Sequence, residues 1–309
     1  MYKVFIDGKA GTTGLRIYDR LSERDDIELI TLEEKDRKVL EKRIEAINSS
    51  DISFLCLPDE ASIEVAKYAD KGVKLIDTST AHRTNPDWAY GFPELSDDFR
   101  EKIINSNRIA VPGCHASGFI ALIYPLVKNG ILPSGSDLSC TSISGYSGAG
   151  KKAINVYESD EKPMLWSAPR QYAIAQQHKH LKEMVKITGV EKAPIFMPFI
   201  SDFYSGMLVT VGLHKSQLCD GKGTDDIIQC YRNLYSTDIV RYCENVDEEG
   251  FLSAKALSGK DSMQIILSGN NDRIMLHARY DNLGKGASGA AIECMNIALG
   301  TEIDKGLVI

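Results

Sequence analysis

The first third of the chain alternates short apolar runs with stretches of helical periodicity. YKVFI (2–6), IELITL (27–32), ISFLCL (52–57), VKLIDT (73–78) and RIAV (108–111) read as strands. GLRIYDRLSE, RKVLEKRIEAI and ASIEVAKYADKG, lying between strands, carry apolar residues at helical spacing. Strand, helix and strand repeated with short connections predict a Rossmann-type α/β domain, a parallel sheet with right-handed crossovers. After about residue 135 the pattern changes. DLSCTSISGYSG, PIFMPFISDFYSGMLVTVGLH, MQIILSG and RIMLHARYDN are β-rich with few helices between them. They predict an α+β domain with a largely antiparallel sheet. A last helix, from about Gly286 to Leu299, is apolar on most sides and is expected to be buried.

The 309 residues suit two domains. A net charge of −7 argues against nucleic acid as a partner. No apolar run reaches the length of a membrane span, and MYKVFIDG does not read as a signal peptide. The seven cysteines are odd in number and scattered, without a CxxC pair. Reduced thiols in a cytoplasmic protein are expected, with neither a disulfide framework nor a metal site.

Directly after the first strand stands Asp7-Gly8-Lys9-Ala10-Gly11-Thr12-Thr13-Gly14. Its glycines are spaced G-x-x-G-x-x-G, which serves a tight turn, close backbone approach to a pyrophosphate, and a helix N-terminus aimed at it. Thr12 and Thr13 are candidates to cap that helix or to bind phosphate. The end of the second strand distinguishes dinucleotides: an acidic residue suits the ribose hydroxyls, a basic one a 2′-phosphate. Glu33-Glu34-Lys35-Asp36-Arg37-Lys38 offers both signs, so the residues alone leave the choice open. A second glycine motif, 145–152, has Lys152 where a P-loop needs Ser or Thr for magnesium. It reads as a glycine-rich turn, not as a triphosphatase site.

VPGCHASG (111–118) places one thiol, Cys114, where the fifth apolar run stops and an apolar helix starts. Ligands of parallel sheets gather at strand carboxyl ends, and a helix N-terminus favours a thiolate. Cys114 is therefore the candidate nucleophile, and the other six cysteines are read as small buried hydrophobes. A thiol nucleophile needs an acid or base. The histidines are His82, His115, His178, His180, His214 and His277. If a helix contains both His178 and His180, residues two apart diverge, and at most one faces a common site. His115 adjoins the cysteine in sequence, but adjacency does not deliver alignment.

GKAGTTG, DTSTAHR (77–83), YGFPEL (90–95), VPGCHASG, SGYSGAGKK (144–152) and DNLGKGASGAA (281–291) occur in this order along the chain. Together they resemble the short-form N-acetyl-gamma-glutamyl-phosphate reductases, relatives of aspartate-semialdehyde dehydrogenase, from end to end. The resemblance implies a cytoplasmic, NADP-dependent reduction of an acyl phosphate to an aldehyde in arginine biosynthesis, through a cysteine thioester. It implies a dinucleotide-binding domain of residues 1–114 and 284–309, a catalytic and oligomerisation domain of 115–283, and a homo-oligomer. It matches Cys114 to the nucleophile and, in the pattern His178, His180, Glu183, His180 to the acid/base group. It assigns the cofactor to Gly8, Gly11, Thr12, Thr13, Gly14, Arg37, Gly148, Asn282 and Gly286. For the substrate it suggests Arg83, Ser144, Arg170 and His178, with Lys151 and Lys152 as further candidates. Two other readings share features of the sequence. A neighbouring reductase acting on another acyl phosphate has the same cysteine and fold, and a substrate panel separates it. A non-catalytic dinucleotide-binding sensor is separated by a turnover assay.

Overall fold

In the computed structural model, which describes residues 1–309, the chain divides into two units: Met1–Pro112 with Ala287–Val308, and Gly113–Gly286 with Ile309. The first unit runs β1 (Tyr2–Asp7), α1 (Thr12–Leu21), β2 (Ile27–Ile30), α2 (Leu40–Asn48), β3 (Ile52–Leu55), α3 (Asp59–Tyr68), β4 (Lys74–Asp77), β5 (Ala89–Tyr90), α4 (Asp97–Asn105) and β6 (Arg108–Ala110). Its sheet has the order β2-β1-β3-β4-β6-β5, with every pairing parallel. Residues of β1 alternate between its two faces. Val4 and Ile6 pack with Ile17 and Leu21 of α1, whereas Phe5 packs with Ile47 of α2 and Val65 of α3. Burial on both faces explains the near-continuous apolar strands.

The second unit runs α5 (Cys114–Lys128), β7 (Ser139–Gly145), α6 (Lys151–Tyr157), β8 (Arg170–Gln171), α7 (His180–Thr188), β9 (Ile195–Ser201), β10 (Met207–His214), α8 (Thr224–Leu234), β11 (Val240–Cys243), β12 (Met263–Gly269) and β13 (Arg273–Tyr280). Its sheet has the order β11-β12-β13-β10-β7-β9-β8. Four of the six pairings are antiparallel; β7–β9 and β11–β12 are parallel. The α5 helix is almost wholly buried and contains Pro125. Proline has no N–H, so the Ala121 carbonyl four residues earlier loses its helical donor. Tyr235 supplies one, its hydroxyl donating to Ala121 O at 2.7 Å. The Tyr231 hydroxyl donates to the next carbonyl, Leu122 O, at 2.6 Å.

The chain then returns to the first unit as α9 (Gly289–Leu299), buried over its first nine residues as the all-round apolar pattern requires. Ala290, Ala291, Ile292, Met295 and Ile297 share a core with Ile17 of α1 and Ile103 of α4. No helix is long and apolar enough to cross a membrane.

Candidate active site

In the first sheet the chain steps from β1 outward to β2, then back past β1 to β3. Ligands in such sheets bind at the carboxyl ends of the strands where the order reverses. The glycine turn stands at this point. Gly8 has φ +87°, and a Cβ on it would lie 2.8 Å from the carbonyl carbon of Cys56, just after β3, and closer still to its oxygen. Gly11 N–H donates to Gly8 O at 2.9 Å, and a Cβ on Gly14 would lie 2.6 Å from that same oxygen. Gly11 is the N-cap of α1, and no side chain caps the helix. Of the two tasks considered for Thr12 and Thr13, capping is therefore ruled out. Beside the turn is a cleft lined by Gly8, Lys9, Tyr18, Leu32 and Arg37. The Lys9 ammonium sits 3.0 Å from the centre of the Tyr18 ring. In the charged segment that follows β2, Lys35 pairs with Glu33 at 2.8 Å, while Arg37 reaches back to Leu32 O at 3.4 Å. Beneath the turn, Arg43 Nε donates to Asp7 at 2.8 Å, with both side chains buried. Burial pushes the Asp7 carboxyl up against the opposing pull of Arg43.

In the second unit, Cys114 is the first residue of α5, after Gly113 as N-cap. His180 is the first residue of α7, and Glu183 lies one turn on, on the same helical face. Glu183 Oε1 accepts the Gly113 N–H at 2.8 Å. His180 is 5% exposed and Glu183 2%. One hydrogen bond thus joins the first turns of the cysteine helix and the histidine helix. Tyr280 braces the same turn from β13: its hydroxyl donates to Cys114 O and accepts the Gly118 N–H, the latter at 3.0 Å. A Cβ on Gly118 would lie 2.7 Å from that hydroxyl, so the close approach needs glycine. Burial, then the nearby Cys114, push the Tyr280 phenol far up. Gly286 also borders the cysteine, with its absent Cβ 3.1 Å from that of Cys114. Burial pushes the Cys56 thiol up to about 12, and the buried Cys140 rises for the same reason.

The histidines depart from the helical reading. Because α7 begins at His180, with Lys179 as N-cap, His178 lies outside the helix. The rule that residues two apart diverge does not apply, and the two rings stand 4.7 Å apart. His178 Nδ1 accepts the His180 N–H at 3.2 Å, which places the proton of its neutral ring on Nε2. Burial, with Lys179 second, lowers the His178 pKa to about 4. His115, given no alignment by sequence, joins the group at 5.7 Å from His178 and 5.6 Å from His180. No His, Cys, Asp and Glu grouping is arranged to hold a metal ion.

The remaining candidates are dispersed. Ser144 is buried in β7. Arg83 is occupied with main chain: Nε donates to Val111 O at 2.8 Å and Nη2 to Thr78 O at 2.9 Å. These bonds tie its guanidinium to the main chain at Thr78 and Val111. Arg170 stacks on Trp166 at 3.8 Å and donates to the Tyr157 hydroxyl at 2.7 Å. Asn282 is buried with both amide ends engaged, donating to Ser147 Oγ at 2.9 Å and accepting the Gly206 N–H at 2.9 Å. The first of these bonds ties it to the turn that bears Gly148. Lys151 and Lys152 open α6 and are exposed. His277 and His82 are held within the fold: His277 lies between Thr210 and Ser268, and His82 bonds Asp77 at 2.6 Å while stacking on Trp88.

Residues 3–104 match a family model described as the semialdehyde dehydrogenase NAD binding domain, and residues 114–282 one described as the semialdehyde dehydrogenase dimerisation domain. The chain is 41% identical to N-acetyl-gamma-glutamyl-phosphate reductase 2 of a Nostoc species, with 99% of each chain covered. It is 40% identical to N-acetyl-gamma-glutamyl-phosphate reductase of Rhizobium rhizogenes, covering 96% of this chain and 98% of that one. Aspartate semialdehyde dehydrogenase II from Vibrio cholerae shares the fold, with TM-score 0.73 at 19% identity over 97% of this chain and 99% of that one. The Candida albicans aspartate semialdehyde dehydrogenase with NADP does so with TM-score 0.67 at 15% identity, over 98% and 99%.

Proposed function

The chain belongs to the semialdehyde dehydrogenase family, and from that premise we propose that it reduces N-acetyl-L-glutamyl 5-phosphate to N-acetyl-L-glutamate 5-semialdehyde and phosphate with NADPH, as a step of arginine biosynthesis. The observation that carries the chemistry is the hydrogen bond from Gly113 to Glu183, which ties the Cys114 turn to the His180 turn. The choice of substrate rests on the curated relatives at about 40% identity.

The Cys114 thiolate, favoured at the positive end of α5, attacks the acyl carbon. The C–O bond to phosphate breaks, phosphate leaves, and a thioester remains on Cys114. NADPH, when bound, supplies the hydride that reduces this thioester. His180 gives a proton to the oxygen as the tetrahedral thiohemiacetal forms and takes it back as the aldehyde leaves, regenerating the thiolate. Main-chain N–H groups of the first turn of α5 face the developing oxyanion.

The glycine turn fits a dinucleotide because the space that a Cβ at Gly8 or Gly14 would need is already filled by backbone; the turn is closed tightly enough for a pyrophosphate to meet main-chain N–H groups. Arg37 and Lys9 in the adjoining cleft favour a 2′-phosphate, hence NADP over NAD. The match of 114–282 to a dimerisation domain supports a homo-oligomer built through the second unit. The cytoplasmic setting rests on the seven scattered cysteines, odd in number and without a CxxC pair.

Cys114→Ser tests the covalent step. Turnover should fall below about a tenth of wild type, with NADPH affinity within about twofold, because serine without an activating base is a poor nucleophile. A serine variant with near-normal turnover contradicts thioester chemistry at this residue.

A further inference from the structure

His115 follows the nucleophile in sequence yet turns inward and is 4% exposed. Both ring nitrogens are bonded, Nδ1 with Ser142 Oγ at 2.7 Å and Nε2 with the Tyr172 hydroxyl at 2.6 Å. One imidazole thereby links α5, β7 and the segment that follows β8. His178, His180 and Phe196 surround it, with ring centres 5.5–5.7 Å away.

The segment of residues 170–180 leads from β8 to the acid/base helix and has little regular structure of its own. Ala173 and Gln176 sit at φ 52° and 56°, conformations that residues with a Cβ rarely adopt. Ile174 between them is 78% exposed. Such a segment keeps its shape only if its surroundings impose it. The Tyr172 N–H donates to Pro198 O at 3.0 Å, and the Gln176 amide clasps the main chain of Phe196 at 2.8 and 2.9 Å. Those ties reach β9 and its neighbourhood. The bond from Tyr172 to His115 reaches the nucleophile helix.

We propose that His115 is a positioning residue for the reductase reaction: through Tyr172 it holds the 170–180 segment, and with it His178 and His180, against the first turn of the Cys114 helix. The proposal rests on the function proposed above for its kinetic readout. His115 is unsuited to be the acid/base itself. Burial, then the neighbouring His178, lowers its pKa to about 3, so it stays neutral. A neutral imidazole donates from one nitrogen and accepts at the other, and both hydroxyl partners can take either part.

The test compares His115→Phe, His115→Gln, Tyr172→Phe and the double Phe variant. Phenylalanine keeps a ring without nitrogen; the Gln amide reaches the place of Nε2. Misplacing a catalytic group by about 1 Å can cost about a hundredfold. His115→Phe should lose about ten- to a hundredfold in kcat, with KM for both substrates within about threefold. Tyr172→Phe should lose as much, and the double variant no more, because the two residues act through one bond. His115→Gln should recover to within about threefold of wild type. Hydrogen exchange across 170–180 should quicken about tenfold in His115→Phe and Tyr172→Phe, but not in His115→Gln. Additive losses, or a Gln variant as poor as the Phe variant in both readouts, overturn the proposal. Should His115→Phe fail to fold by circular dichroism, Tyr172→Phe decides alone: wild-type kcat and exchange in that variant are equally fatal. A wild-type protein without turnover refutes the function instead, and the exchange pattern still judges His115.

Discussion

Gly8→Ala probes the link between the glycine turn and the cofactor. At φ +87° an L residue pays roughly 1–2 kcal/mol for the left-handed backbone. The methyl would also stand 2.8 Å from the Cys56 carbonyl carbon and nearer its oxygen, well inside the ~3.5 Å at which such atoms touch. Both sides of this contact are main chain, so no rotamer change relieves it. Overpacking of this kind adds about 1–3 kcal/mol. The expected loss is then about 2–5 kcal/mol in the stability of the first unit. Relief requires Gly8 to move away from β3, which also disturbs the Gly11 N–H to Gly8 O bond and the start of α1. NADPH binding should weaken by more than tenfold, about 1.4 kcal/mol or more. Urea unfolding followed by a probe in the first unit gives the stability change, and nucleotide fluorescence titration gives Kd. Iodoacetamide labelling of Cys114, in the second unit, should proceed as in wild type and serves as the control. A Gly8→Ala protein within about 0.5 kcal/mol of wild type, with Kd within twofold, would refute the reasoning about this turn.

Arg37→Met should raise the Kd for NADPH about tenfold and leave that for NADH within twofold, since only the former carries the 2′-phosphate; equal changes for both contradict the assignment. His180→Asn should cost about two to four orders of magnitude in rate and His178→Asn less; kinetics in both directions check the order, and a larger loss at 178 reverses it. Burial lowers the pKa of His115 to about 3 and that of His277 to about 4. The unfolded chain takes up these protons near pH 6.5 and the folded chain does not, so their contribution to stability is complete above pH 6.5 and declines as pH falls toward 3–4. Urea midpoints at pH 7.5, 6 and 4.5 should show the decline, on the order of several kcal/mol by pH 4.5, and it should shrink in His115→Gln and His277→Gln; unchanged slopes in both variants count against this origin.

Legibility in the sequence follows burial. The strands of the first sheet stood out because Val4, Phe5 and Ile6 are covered from both sides. The two-residue β5 left no pattern to read, and α4 is a charged segment with one buried residue, Ile103. Cys114 was legible because strand end, Pro-Gly and helix start fall together in eight residues. The histidine cluster was not, because it turns on α7 starting at residue 180 and not two residues earlier. His115 gained its role only from Ser142 and Tyr172, 27 and 57 residues away. Glu183 belonged to a visible pattern, yet its function as an acceptor for Gly113 appears only when two helices meet. Arg83 donates to the main-chain carbonyls of Val111 and Thr78, a use that leaves no sequence signal.

The reverse reaction discriminates between the candidate acyl phosphates through their aldehydes. Wild-type protein is mixed with N-acetyl-L-glutamate 5-semialdehyde, phosphate and NADP, and the absorbance of the reduced nicotinamide is followed. L-aspartate 4-semialdehyde replaces the aldehyde in a parallel series. Phosphate-dependent formation of NADPH is expected with the first aldehyde and a kcat/KM at least about a hundredfold lower with the second, a site built for one polar substrate rejecting another. Reduction of NADP that is faster with aspartate semialdehyde, or that proceeds equally without phosphate, would contradict it.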